Sequence, residues 1–136
     1  MSLGKVFIPE QIAASGMDLL QGDCDIVAPW RDGDEIITCD LEHPSILLPS
    51  YHLQRRGVKT RVLSVAPDES HESILAKVEK ALTDRTRMVF FSHVEFSTGL
   101  RMPVREMRAL TRSRGIWMLL DGAQGPGHIS VDVADI

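Results

Sequence analysis

Short hydrophobic runs alternate along this chain with segments whose apolar residues recur at helical spacing. The runs predict four strands, at Glu35 to Cys39, Val58 to Val65, Met88 to Phe91 and Ile116 to Leu120. The helical segments begin near three residues that suit a cap or a first turn: Pro44, Ser70 and Pro103. Alternating strands and helices are typical of a parallel sheet with crossover helices. The pattern therefore predicts an α/β fold.

The limits of the first two helices depend on a few residues. Pro49 would lie inside the helix that begins at Pro44, where we expect it to kink or delay the helix. Gly57 is a plausible end for that segment, because glycine commonly follows the last helical turn. Ser70 and Ser73 are rival caps for the second helix.

The first thirty residues form a separate segment. Lys5 to Glu10 is typical of a strand, residues 12–20 of a helix, and Cys24 to Val27 of a second strand. We predict a β-α-β opening unit of uncertain origin over residues 1–31 and a second unit over residues 32–136.

The run from Ile116 to Leu120 carries an acidic residue into a tight turn. Five apolar residues between Gly115 and Gly122 favour a strand that is buried on both faces. Asp121 would then stand at the carboxyl edge of a parallel sheet, where ligands bind. A carboxylate there needs a positive partner, such as the protonated ring nitrogen of pyridoxal phosphate, and Gln124 could reach the ring's other polar substituent. Ordinary turn chemistry explains Asp-Gly equally simply, and on spacing alone it is the stronger explanation.

Composition sets outer limits on function. The chain has 136 residues, of which 43% are hydrophobic, enough for one modest core. Its net charge is -4 and its basic residues form no stripe, which argues against nucleic acid as a partner. Cys24 and Cys39 have neither metal-ligand spacing nor a disulfide framework. The chain shows no membrane span and no secretory signal pattern, so we expect a cytoplasmic protein.

Three motifs resemble those of one known family. In chain order they are Leu41-Glu42-His43-Pro44-Ser45, then Ser92-His93-Val94 leading to Thr98-Gly99, and finally Leu119-Leu120-Asp121-Gly122-Ala123-Gln124. Their order and spacing are similar to those of class V, fold-type I aminotransferases, a group that includes cysteine desulfurases and isopenicillin N epimerase-like enzymes. The resemblance runs from about residue 32 to residue 136.

This resemblance implies a fold, a cofactor and a set of cofactor-binding residues. The fold would be a partly complete three-layer α/β/α parallel sheet, and the cofactor would be pyridoxal 5'-phosphate. His43 would stack on the pyridoxal ring, Asp121 would hold the ring nitrogen protonated, and Gln124 would hydrogen-bond the phenolic oxygen. The substrate would be an amino acid, bound through a pyridoxal aldimine, and the family suggests a homodimer.

The sequence also departs from the family pattern. Phe96 stands near the point where cysteine desulfurases usually have asparagine, which favours the epimerase-like or general class V branch. The family's Schiff-base lysine would follow the Asp-Gly-Ala-Gln turn by 20 to 30 residues, and the chain ends at Ile136. Its phosphate-binding turn has no counterpart in residues 1–31. We therefore assign no catalytic residue and expect the isolated chain to be an inactive fragment.

Two points stay open at this stage. His93 either braces the loop after its strand or takes part in catalysis. As an alternative function, the chain is a non-catalytic α/β fragment or a mosaic, because residues 1–31 weakly resemble the start of a D-2-hydroxyacid dehydrogenase such as phosphoglycerate dehydrogenase.

Overall fold

A computed structural model describes residues 5–7, 25–27, 30–134 and 136, which fall into two compact units, Met1–Asp32 and Gly33–Ile136. In the first unit, strands β1 (Lys5–Phe7) and β2 (Asp25–Val27) pair in parallel. The helix predicted for residues 12–20 lies outside the described residues.

The second unit is built on a four-stranded parallel sheet with the order β4-β3-β5-β6. Its strands are β3 (Glu35–Cys39), β4 (Lys59–Leu63), β5 (Thr86–Ser92) and β6 (Trp117–Asp121). Its α-helices are α1 (Pro44–His52), α2 (His71–Ala81) and α3 (Val104–Arg112), and a 3-10 helix, Leu53–Arg56, follows α1. The α/β prediction is confirmed, with each of the four predicted strands present.

The helix boundaries follow from local chemistry. Pro49 lies within α1 without ending it, and the chain passes into the 3-10 helix before Gly57 stops it at φ 76°. Ser70 is the cap of α2, because its side chain accepts a hydrogen bond from the Ser73 backbone N–H at 3.2 Å. In the described part of the chain, none of the helices combines the length and hydropathy that a membrane span requires.

The main core lies between one face of the sheet and the helices α2 and α3. All five residues of β3 are buried, as expected for a strand with neighbours on both sides. Several members of this core are 0% exposed. They lie on β3, β5, α2 and α3: Ile37, Val89, Phe91, Ile74, Val78 and Met107. This packing fixes the carboxyl ends of the central strands relative to one another.

Strand β6 differs from the prediction, because it lies at the edge of the four-stranded sheet. Met118 and Leu120 pack against the core, whereas Trp117 and Leu119 are 39% and 45% exposed. Side chains alternate between the two faces of a strand, so this strand is buried on one face within the described residues. The prediction of a strand buried on both faces is wrong, because a continuous apolar run does not report a strand's place in the sheet.

Candidate functional site

The carboxyl ends of β3, β5 and β6 meet at one edge of the sheet. His43 follows β3 by a short turn, and Ser92 and Asp121 end β5 and β6 as direct neighbours in the register. A pocket of about 320 Å³ opens at this edge. The three predicted cofactor-binding residues all line this pocket: His43, Asp121 and Gln124. The topology therefore brings together residues that are far apart in sequence.

His43 is held by the start of α1. Its Nδ1 accepts a hydrogen bond from the Ser45 backbone N–H at 3.1 Å and lies 2.9 Å from Ser45 Oγ. Accepting from a backbone N–H requires a lone pair on Nδ1, so the proton of the neutral ring is on Nε2. The ring is exposed and meets Phe96 edge-on, with 4.9 Å between ring centroids and 88° between planes. Two contacts thus orient an imidazole that forms one wall of the pocket.

Asp121 is oriented by the turn that follows its strand. Its Oδ1 accepts a hydrogen bond from the Ala123 backbone N–H at 2.8 Å, and its backbone oxygen accepts one from the His93 N–H at 2.8 Å. The side chain is half-buried, and a carboxylate has further lone pairs for a second donor. Gln124 lies on the same turn and is exposed, so its amide is accessible to a pocket ligand.

Glu42 joins the end of β3 to the end of β5 through Ser92, which lines the pocket. Its Oε1 accepts a hydrogen bond from the Ser92 backbone N–H at 2.7 Å, and its Oε2 accepts one from Ser92 Oγ at 2.6 Å. Glu42 is 3% exposed and Ser92 is 5% exposed. Burial raises the pKa of Glu42, the charge of Asp121 adds to that effect, and the two hydrogen bonds from Ser92 oppose it.

A second buried glutamate lies next to Glu42. Glu95 is 1% exposed, and burial together with the negative charge of Glu42 raises its pKa to about 8. The Cys39 thiol lies 3.9 Å from Glu42 Oε1 and 3.7 Å from Glu95 Oε1. Burial and these two carboxyl groups raise the pKa of Cys39 far above its usual range, so the sulfur stays protonated and is a weak hydrogen-bond donor.

His93 does not line this pocket. It is 3% exposed, and its backbone joins two segments, since its N–H donates to Asp121 O and its oxygen accepts from the Met102 N–H at 3.0 Å. Burial, with a smaller effect of Arg101, lowers its pKa. Of the two roles left open by the sequence, this geometry favours the structural brace.

Among the residues that line the pocket, Ser92 and Phe96 were not predicted as site residues although their side chains contact other groups of the site. Ser92 could have been found from its position, because it ends a strand that neighbours the strand of Asp121. Phe96 was noted as a departure from the family, but its contact with His43 depends on the loop after β5 and has no signal in the local sequence.

The family profile that matches this chain is that of class-V aminotransferases, and it covers residues 24–136. The chain belongs to this family. The match begins before residue 32, where the sequence resemblance was placed, and includes β2 of the first unit. The predicted family is confirmed, while the dehydrogenase resemblance of residues 1–31 stays a prediction.

Relatives in the family carry consistent names. A probable cysteine desulfurase of Methanothermobacter thermautotrophicus is 35% identical over 107 residues, which are 79% of this chain and 26% of that protein. A probable cysteine desulfurase of Pseudomonas aeruginosa is 40% identical over 100 residues, 73% of this chain and 24% of that protein. The chain thus spans about a quarter of the length of these relatives.

Solved structures agree with the fold. The apo cysteine desulfurase of Thermococcus onnurineus NA1 matches with a TM-score of 0.70 and 27% identity, over 78% of this chain and 26% of that one. A mutant of the cystine C-S lyase C-DES with glycine covalently linked to its PLP cofactor matches with a TM-score of 0.67 and 33% identity, over 77% and 29%. The fold-type I prediction is confirmed, and so is pyridoxal 5'-phosphate as the cofactor.

The names of these relatives run against one inference from the sequence. Phe96 was taken to favour the epimerase-like or general class V branch over the desulfurases, yet the curated relatives described above are named cysteine desulfurases. A single aromatic residue at the pocket rim is therefore a weak guide to the reaction.

Proposed function

We propose that this class-V aminotransferase segment forms the ring-binding part of a pyridoxal phosphate site in an enzyme that acts on a sulfur-containing amino acid. The observation that carries the proposal is the pocket in which His43, Asp121 and Gln124 meet at the carboxyl edge of the sheet. The names of the relatives, cysteine desulfurases and a cystine C-S lyase, support a substrate of the cysteine type.

The residues of the pocket fit the ring of this cofactor. A volume of about 320 Å³ lies at the lower end of the range of small-molecule sites. The pocket offers a flat imidazole, a carboxylate with a free lone pair and an amide that can donate a hydrogen bond. These are the groups that an aromatic ring with a protonated nitrogen and an anionic oxygen requires.

Each residue has a role that follows from its contacts. The His43 ring, fixed by Ser45 and Phe96, would lie against the face of the ring and hold its plane. Asp121 would accept a hydrogen bond from the protonated ring nitrogen and keep that nitrogen charged, and Gln124 would donate a hydrogen bond to the phenolic oxygen. When bound, pyridoxal phosphate supplies an electron sink that stabilises negative charge at the substrate's α carbon.

The test is a titration of the purified protein with pyridoxal phosphate, followed in the visible spectrum. We expect saturable binding that Asp121→Asn weakens about 10- to 100-fold, because a hydrogen bond to a charged group contributes about 1.5–3 kcal/mol. Asp132→Asn is the matched control, since Asp132 also accepts from a backbone N–H two residues on, at 2.9 Å. The adducts are then reduced with borohydride and the labelled lysines are identified. Labelling of scattered lysines that is the same in the wild type and in Asp121→Asn would refute the proposal.

The substrate class has its own test. The protein in its natural length is supplied with pyridoxal phosphate and either L-cysteine or L-alanine, and sulfide and keto-acid products are measured. Sulfide release from L-cysteine supports the proposed reaction. Turnover of L-alanine with no release of sulfide from L-cysteine would point to a transaminase and overturn the substrate assignment.

A further inference from the structure

Two buried carboxyl groups, Glu42 and Glu95, lie behind residues that line the pocket, since Glu42 bonds Ser92 and Glu95 precedes Phe96. Glu42 and Glu95 are 3% and 1% exposed, and their oxygens and the Cys39 sulfur lie within 4.8 Å of one another. Two ionised carboxylates at such a short distance in a buried site repel each other by several kcal/mol. The arrangement is stable when a single proton lies between them, as in other buried carboxyl dyads.

The hydrogen-bond partners decide which group carries that proton. Glu42 accepts two strong hydrogen bonds from Ser92, which favour its ionised form. Glu95 has the Cys39 thiol as a weak donor to Oε1, and its Oε2 lacks a partner in the part of the chain that the structure describes. A proton on Glu95 would let that side chain donate to the neighbouring Glu42 carboxylate and would give the unpartnered oxygen a hydrogen bond.

Within the described residues, the groups that most affect the pair supply no positive charge that could replace the proton. Cys39 from β3 is neutral, Ser92 from β5 is neutral, and Asp121 from β6 adds negative charge. A bound cation explains the cluster less well, because both Glu42 oxygens already accept hydrogen bonds from Ser92 and the Cys39 sulfur is protonated.

The pair is connected to the pocket by two routes. Through Ser92, Glu42 fixes a residue that lines the pocket next to Asp121, and it uses the only hydroxyl proton of Ser92. Through the backbone, Glu95 is adjacent to Phe96, which contacts the His43 ring. The loop that carries both residues is closed by the Glu95 N–H donating to Leu100 O at 2.9 Å and the Gly99 N–H donating to Glu95 O at 2.9 Å.

We infer that Glu42 and Glu95 are positioning residues of the cofactor pocket, which share one proton and thereby hold Ser92 and the Phe96–His43 contact in place. This inference rests on the proposed function for the identity of the pocket's ligand. The shared proton itself can be tested without any cofactor. Above the pKa of the pair, the fraction that keeps the proton falls tenfold per pH unit, and we expect the pocket geometry to be lost with it.

The first experiment is a pH titration of the wild-type chain labelled with ¹³C at the glutamate carboxyl carbons. We expect the signals of Glu42 and Glu95, assigned with Glu42→Gln and Glu95→Gln, to report one common step near pH 8. Glu106→Gln is the control, because Glu106 is exposed on α3 and should leave that step unchanged. Two independent titrations below pH 6 would overturn the shared proton. If a variant fails to fold, the presence or absence of a glutamate carboxyl step near pH 8 in the wild type still decides whether the proton is shared.

The second experiment tests positioning through the ring signals of His43 and Phe96 in the same titration. In the wild type we expect these signals to shift with the step near pH 8. Glu95→Gln supplies an amide N–H that does not titrate, so the shift should disappear while the low-pH ring contact remains. If the chemical shifts of the two rings stay constant through the carboxyl titration near pH 8, the positioning role is overturned.

The outcomes separate this inference from the proposed function. A common carboxyl step with no binding of pyridoxal phosphate would count against the proposed function alone. Saturable binding of pyridoxal phosphate with no common step would count against the shared proton alone.

Discussion

Removing the Ser92 hydroxyl tests the connection between Glu42 and the sheet edge. Ser92→Ala deletes the donor that lies 2.6 Å from Glu42 Oε2 and leaves the backbone N–H at 2.7 Å from Oε1. Glu42 is 3% exposed, so water cannot readily replace the lost donor. We expect the free energy of unfolding to fall by about 1.5–3 kcal/mol, the contribution of a hydrogen bond to a charged group. For a unit of this size, that corresponds to a lowering of the melting temperature by roughly 6–24 °C.

The assay is urea unfolding at pH 7, followed by circular dichroism, with the slope of free energy against denaturant compared between variants. Ser97→Ala is the control, because Ser97 is exposed on the loop that follows the same strand. A loss below about 0.5 kcal/mol, similar to that of the control, would refute the argument, since surface substitutions usually have effects of that size. It would mean that Glu42 is neutral or solvated at pH 7.

Three further predictions concern the framework around the site. Phe91→Ala removes a core side chain that is 0% exposed, and we expect a loss of about 3–5 kcal/mol in urea unfolding. Gly57→Ala places a side chain at φ 76° and should cost about 1 kcal/mol, measured by thermal unfolding. Hydrogen bonds from Lys77 and Ser73, with a smaller effect of the Lys77 charge at 2.6 Å, lower the pKa of Glu69 to about 2. Its folded pKa lies below the ordinary 4.5, so its stabilisation is present above pH 4.5 and is lost as the pH falls through 2. The melting temperature of the wild type should therefore fall more steeply than that of Glu69→Gln between pH 4.5 and pH 2, and parallel curves would contradict this.

Local signals in the sequence were sufficient to predict the helices and strands of the four-stranded sheet unit. The apolar spacing of Ile74 and Val78 and the cap at Ser70 define α2 within one or two residues, because both depend on neighbours along the chain. The exposed face of β6 could not be predicted in this way. Burial of Trp117 and Leu119 depends on which strand or helix lies beside them, and their own hydropathy does not contain that information.

The residues of the site also differ in whether local sequence signals could predict them. His43, Asp121 and Gln124 were predicted because each belongs to a short motif at a strand end, and all three line one pocket. The buried pair of Glu42 and Glu95 was not predicted, because the two residues are brought together by the pairing of β3 with β5, which exists only in the folded sheet. A glutamate in an exposed turn and one in a dry carboxyl pair look the same in a sequence.

The order of the strands also bears on how the protein folds. Strand β3 has to pair with β5, whose Ser92 is 50 residues beyond Glu42, before the two strand ends can meet. Such distant pairings close large loops and slow the search for the native state. We expect the pocket to form late in folding, after the sheet has assembled. A ligand that binds it would then bind the native state and not the earlier intermediates, so that it would slow unfolding far more than it would speed folding.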